Sequence, residues 1–168
     1  KEWEWGYREN DDLGGKDPYS ASKACAELII KSMYDSYFEK SEDILIASAR
    51  AGNVIGGGDW AFNRIVPDTI KAWMKKEKVL VRSPNSTRPW QHVLEPLSGY
   101  LLLGQALSIG KIGSGNAFNF GPKSDQIKTV IELLESLSKN WDMNQNQSDL
   151  IKINKSFEGI THEAGLLK

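Results

Sequence analysis

Cysteine occurs once in the 168 residues, at Cys25, so no internal disulfide framework can staple this chain. A single thiol suits a reducing compartment, and a cytoplasmic location is the expectation. Histidine occurs twice, at His92 and His162, far apart and with no ligand spacing to Cys25, so no metal site is expected. Charge of neither sign dominates: 21 Lys and Arg against 22 Asp and Glu give a formal net charge of -1. That balance provides no overall field for nucleic acid or acidic lipid, and neither is an expected partner. No apolar run is long enough to span a bilayer, and Lys1-Glu2-Trp3-Glu4 is unlike a targeting segment. A dinucleotide-binding Gly-x-Gly-x-x-Gly turn between strand and helix is also missing. Gly56-Gly57-Gly58 has another spacing and reads as a flexible loop.

What is present alternates. Residues 1–16 are polar and aromatic with no clear period, a long loop. Pro18 suits the first position of a helix that runs to about Tyr37. Ile44 to Ala49 is a short apolar run, consistent with a buried parallel strand. Asn63 to Lys76 places Ile65, Val66, Ile70, Trp73 and Met74 at helical spacing, with Pro67 near the start. Val79–Val81 and Trp90–Leu94 read as strands, and a helix follows from Pro96 to about Leu107 with Leu97, Leu101, Leu102 and Ala106 or Leu107 facing inward. Ala117–Phe120 is a strand, Gln126–Lys139 a helix and Leu150–Ile153 a last strand. Alternating strands and helices in a chain of this length argue an α/β fold with a sizeable core.

One stretch carries chemistry. Asp17-Pro18-Tyr19-Ser20-Ala21-Ser22-Lys23 sets a phenol and an ammonium at i and i+4, on one face of the helix mouth. A free phenol titrates near ~10, and a cation within a few ångström favours its ionised form, which can take a proton from a hydroxyl. The plainer reading is a lysine stem lying along a tyrosine ring. The small residues around the pair (Ser20, Ala21, Ser22, Ala24, Cys25, Ala26) allow a cofactor or a neighbouring helix to approach closely. Cys25 itself reads as packing. Trp60, Trp73 and Trp90 could each stack on a base or sugar, with core or subunit packing the default.

Pro-Tyr-Ser-Ala-Ser-Lys at 18–23 resembles the catalytic helix of the extended short-chain dehydrogenases/reductases, the nucleotide-sugar epimerases and dehydratases. Three further stretches sharpen the likeness: Trp3-Glu4-Trp5-Gly6-Tyr7-Arg8-Glu9-Asn10, Arg50-Ala51-Gly52-Asn53-Val54-Ile55-Gly56-Gly57-Gly58-Asp59-Trp60, and the segment from Arg88-Pro89-Trp90-Gln91-His92 to Gly99-Tyr100. Together they are similar to the CDP-glucose 4,6-dehydratases rather than to the dTDP- or GDP-sugar enzymes. The resemblance covers nearly the whole chain and is weakest beyond about Ser138.

The resemblance implies the C-terminal part of a Rossmann-like fold with its small substrate-binding subdomain. Residues 1–58 would close the NAD-binding domain, and 59–168 would be mainly the sugar-nucleotide subdomain, with some segments returning to the sheet. It implies NAD as cofactor and dehydration of CDP-glucose, or of a related nucleotide-sugar, to a 4-keto-6-deoxy sugar for deoxysugar and surface polysaccharide synthesis. Tyr19 and Lys23 would be the catalytic pair and also touch the cofactor. Arg50 points at cofactor or pairs with a carboxylate. Asn53, beyond a strand end, is either a turn residue or a donor to the diphosphate. Arg64, at a helix start, is a solvated arginine or a diphosphate ligand. Arg88, held extended by Pro89, would grip the diphosphate through its guanidinium fork. A free imidazole titrates near neutrality and would suit acid/base work, yet the place of His92 suggests hydrogen bonding to substrate or structure. The family's dinucleotide turn and its elimination acid/base pair would lie upstream of Lys1, so the chain reads as a fragment, inactive by itself. A sibling 4-epimerase or decarboxylase, or a non-catalytic sugar-nucleotide-binding remnant, would share the same motifs. A homodimer or higher homo-oligomer is implied, with Leu28, Ile29 and Met33 facing either a partner or the parent sheet.

Overall fold

Asp17 decides where the first helix begins. Its carboxylate accepts the backbone N–H groups of Tyr19 and Ser20 at 2.9 and 3.0 Å, and Pro18 occupies the first helical position. In a computed structural model that describes residues 6–123, 126–141 and 150–153, this helix is α1, Pro18–Met33. A π-helical turn, Tyr34–Phe38, continues it. There follow β1 (Ser48–Ala51), β2 (Val54–Ile55), α2 (Ile65–Met74), β3 (Val79–Val81), β4 (Thr87–Arg88), β5 (Gln91–His92), α3 (Leu94–Ser108), β6 (Ala117–Phe120), β7 (Lys128–Thr129), α4 (Val130–Ser138) and β8 (Ile151–Ile153). The Trp3-Glu4-Trp5 motif and His162 lie outside the described residues.

The chain divides into two compact units. One comprises residues 1–6, 53–90 and 122–168, the other Tyr7–Gly52 and Gln91–Gly121. The first has a packed core. Trp73 of α2, Val79 and Val81 of β3, Leu134 of α4 and Leu150 are buried together, with Ile65, Val130 and Trp141 against them. The indole Nε1 of Trp73 donates to the Leu150 carbonyl at 2.8 Å, so its one polar atom is satisfied inside the core. β3 pairs parallel with β8, Val79 opposite Ile151 and Val81 opposite Ile153. β4 pairs antiparallel with β7. α4 starts on a capping box: the Glu132 N–H donates to Thr129 Oγ1, and the Thr129 N–H donates to the Glu132 carboxylate. The carbonyls of Ser86 and Pro84 accept the N–H groups of Val130 and Ile131. That leaves few of the helix's first donors open.

In the second unit, β1 and β6 form a parallel pair, Ser48 opposite Ala117 through Ala51 opposite Phe120. α3 meets β6 where Gly99 lets the Phe120 ring approach its backbone, and Tyr100 stands edge-on to that ring, centroids 5.2 Å apart. The alternating elements and parallel pairings agree with the α/β expectation.

The structure departs from several expectations: the strand read over Trp90–Leu94 is only Gln91–His92, with α3 starting already at Leu94, and the helix read from Gln126 starts at Val130 after β7. The first strand of the second unit is displaced from 44–49 to 48–51, because pairing with β6 begins only at Ser48; before it, Ile46 bonds to Ser114 and Gly115 in a loop-to-loop contact. Leu97, Leu101 and Leu102 do not face inward but are exposed, at 46, 78 and 61%. α3 is apolar on nearly all sides, and its less exposed face carries Pro96, Gly99, Tyr100 and Leu103 together with Ala106 and Leu107, the last two as expected.

Candidate functional site

Tyr19 and Lys23 stand together on the first turns of α1. The Lys23 ammonium lies 5.8 Å from the Tyr19 ring centroid. The phenol is 69% exposed, so its hydroxyl is open to solvent rather than walled into apolar packing. Asp17 fixes the turn that presents it. Besides the two backbone N–H groups, its carboxylate accepts the Ser20 hydroxyl, and that bond leads the causes holding it below the usual carboxylate range. Ser22 donates to the Tyr19 carbonyl at 2.7 Å, a local bond that leaves the phenol untouched.

Arg50 of β1 is committed to a carboxylate. Its Nε donates to both Glu27 carboxylate oxygens at 2.6 and 2.8 Å, its Nη2 to Glu27 at 2.5 Å, and its Nη1 to the Glu9 carbonyl at 3.2 Å. This bidentate pair ties α1 to β1. Glu9 extends it: its carboxylate accepts the Asn119 N–H at 2.9 Å, the first cause that holds it below the ordinary carboxylate value, with Arg50 adding to the effect. Asn119 also donates through Nδ2 to the Tyr7 carbonyl. Of the two readings for Arg50, the structure displays the carboxylate pair. Glu27 and Glu9, the residues that position it, had no assigned role; their proximity to Arg50 follows from chain crossings, which leave no trace in spacing. His92 sits in the same unit, exposed, its Nδ1 accepting the Leu94 N–H at 3.3 Å as α3 begins.

The remaining candidates belong to the other unit. Asn53 is half-buried just ahead of β2. Arg64 is the exposed N-cap residue of α2 and supplies no side-chain cap. Asn63 before it adopts φ 60°, a left-handed conformation that Asn tolerates. Arg88 is 9% exposed on β4, and its Nη1 donates to the Thr87 carbonyl at 2.7 Å. Two residues on, the Trp90 indole N–H is buried without an acceptor among the described residues. Of the three tryptophans, Trp73 is core while Trp60 is 54% exposed at the rim of a recess of about 160 Å³. Among the described residues no cluster of His, Cys, Asp and Glu could hold a metal ion, and no helix is long and apolar enough to cross a membrane.

The fold is that of the nucleotide-sugar dehydratases and epimerases, the α/β architecture of the extended short-chain dehydrogenases/reductases. A UDP-glucuronic acid 4-epimerase from Bacillus cereus, solved with UDP-glucuronic acid and NAD, superposes with a TM-score of 0.79 at 16% identity over 99% of this chain and 48% of its own. A dTDP-glucose 4,6-dehydratase from Bacillus anthracis in complex with NAD gives 0.72 at 22% identity, over 89% of this chain and 44% of its own. In sequence the chain resembles the CDP-glucose 4,6-dehydratase of Salmonella typhimurium, 46% identical over 145 residues and 84% of this chain. It spans 40% of that relative's length. No family model matches it.

Proposed function

We propose that this chain carries the catalytic pair and the diphosphate-binding residues of an NAD-dependent CDP-glucose 4,6-dehydratase, with the hand-over between cofactor and sugar-nucleotide parts near residue 58. The observation that carries the reading is the Tyr19–Lys23 pair, solvent-open on a helix turn that Asp17 fixes. The 46% identity to a CDP-glucose enzyme supports the substrate, and NAD in two of the solved relatives supports the cofactor.

The chain's residues fit a nicotinamide dinucleotide in chemistry: a phenol and an ammonium on one face, flanked by Ser20, Ala21 and Ser22, which leave room beside them. When bound, NAD supplies a hydride acceptor and donor for the sugar carbons. Tyr19 takes the proton from the hexose 4-hydroxyl, and Lys23 supplies positive charge beside the phenol oxygen and a donor to ribose hydroxyls. Arg88 and Arg64 offer guanidinium donors to the diphosphate, and Asn53 an amide. Arg50 has its fork occupied by Glu27, so it acts by fixing α1 to β1. His92 offers its other ring nitrogen to a substrate hydroxyl.

Calorimetric titration of the 168-residue chain tests the binding half. CDP-glucose and CDP are expected to bind, and Arg88→Ala to weaken both about tenfold or more, the size of a lost charged hydrogen bond. Failure of the unmodified chain to bind either nucleotide would overturn the reading. In the full encoded protein, Tyr19→Phe is expected to lower kcat at least about a hundredfold, as for a lost general base, with a much smaller change in affinity.

A further inference from the structure

The glycine loop after β2 does more than turn the chain. Val54, Ile55, Val66, Pro67 and Ile70 line the recess of about 160 Å³, and Gly56-Gly57-Gly58 form one wall with no side chains. Gly58 has φ +83°, a conformation that a residue with a Cβ would strain to hold. Asp59 and Trp60 complete the lining. Trp60 is anchored from behind: its carbonyl accepts Lys71 Nζ at 2.5 Å, and the same ammonium lies 4.6 Å from the Phe62 ring centroid. Lys71 belongs to α2, the helix that supplies Val66, Pro67 and Ile70, so rim and wall are fixed to each other. Asp59 Oδ1 accepts the Ala61 N–H at 2.9 Å, and its second oxygen has no partner among the described residues.

An apolar recess with an exposed indole and a half-occupied carboxylate suits a planar ring that carries an N–H donor. Among pyrimidine bases, cytosine presents an amino group where uracil and thymine present a carbonyl oxygen. A carboxylate accepts from that amino group and repels the carbonyl. We infer that the 54–70 recess is the base-reading site of the nucleotide-sugar pocket: Trp60 stacks on the pyrimidine, and Asp59 selects cytosine by accepting from its amino group. The inference rests on the nucleotide-sugar reading above. The recess also stands in the right place for it in the chain, because its two lining stretches follow directly on Asn53 and Arg64, two of the residues assigned to the diphosphate.

Competitive titration of the full chain with CDP and UDP tests this. The unmodified chain is expected to favour CDP by about tenfold or more, the discrimination of one well-placed base contact. Asp59→Asn, whose amide can donate as well as accept, is expected to erase most of that preference. Trp60→Ala should weaken CDP and UDP alike by about tenfold, and Trp60→Phe should recover much of it, since stacking tolerates any aromatic face. Both side chains are exposed, so neither change threatens folding. Arg88→Ala, by contrast, should weaken CDP and UDP equally and leave their ratio alone. Equal affinity for the two nucleotides, or an unchanged ratio in Asp59→Asn, overturns the base-reading assignment while nucleotide binding survives. Loss of all nucleotide binding in the unmodified chain overturns both readings together.

Discussion

Trp90 illustrates how one atom can set the sign of a substitution. Its indole N–H is buried with no acceptor among the described residues, and an unmet buried donor costs roughly 1–3 kcal/mol. Trp90→Phe removes that donor but also some apolar area, and the two effects oppose each other. Denaturant unfolding is therefore expected to move by less than about 1 kcal/mol, whereas Trp→Ala in a core costs about 3–5 kcal/mol. A loss above 2 kcal/mol would mean the N–H has a partner. Glu132 shows the matching case for charge. The Thr129 N–H, and after it the Thr129 hydroxyl, hold its folded value below the ordinary 4.5. A carboxylate with a depressed folded value contributes stability that is full above its unfolded value and is lost as pH falls through the folded one. The stability gap between the unmodified chain and Glu132→Ala, read by thermal unfolding, should be widest at neutral pH and close on acidification below 4.5.

At the scale of elements, α3 contains its own control. Gly99 and Gly104 sit on one helix, yet a methyl at Gly99 would overlap the Phe120 ring while one at Gly104 meets nothing. Gly→Ala within a helix gains about 0.5–1 kcal/mol, and forcing volume into a packed contact costs about 1–3 kcal/mol. Gly104→Ala is thus expected to raise the melting temperature and Gly99→Ala to lower it; equal shifts would mean α3 does not rest on β6. The same helix marks the limit of legibility in the sequence. Local chemistry was readable: Asp17-Pro18 announces the start of α1, and Val79–Val81 and Ala117–Phe120 are strands as read, since each signal lies within a few residues of its effect. Faces and registers were not. Leu101-Leu102-Leu103 give α3 apolar residues on several sides, so spacing could not show that Gly99 and Tyr100 make the contact with Phe120 while Leu101 and Leu102 stay exposed. Likewise the Ile44–Ala49 run shows apolarity, but only β6 determines that pairing starts at Ser48. At the candidate site, the i, i+4 spacing of Tyr19 and Lys23 was legible, while the Glu27 partner of Arg50, 23 positions away, was not.

Over the whole molecule, burial is unevenly shared. The unit holding α2, β3 and α4 contains Trp73, Val79, Val81, Leu133, Leu134 and Leu150, all below 9% exposure. The unit holding α1 and α3 has no large hydrophobic side chain buried to that degree among its described residues. Local stability follows buried contacts, so hydrogen exchange should be slowest at the β3 and β8 amides and fast along α1. The exposed side chains of α1 include Leu28 at 60%, Ile29 at 63% and Met33 at 43%. Ile29 and Met33 are neighbours at i and i+4, and Leu28 stands about a quarter turn from Ile29, so the second half of the helix exposes a broad apolar side. A surface of this kind in water favours association, because every contact that covers it removes apolar area at about 25 cal/mol per Å². The chain at micromolar concentration is therefore expected to sediment as more than a monomer and to bind a hydrophobic dye. Leu28→Lys with Ile29→Glu should reduce both signals, while leaving the Asp17 cap and the Tyr19–Lys23 turn unchanged by circular dichroism. If the double variant associates as strongly as its parent, the driving surface is elsewhere, and the exposed leucines of α3 are the next to be charged.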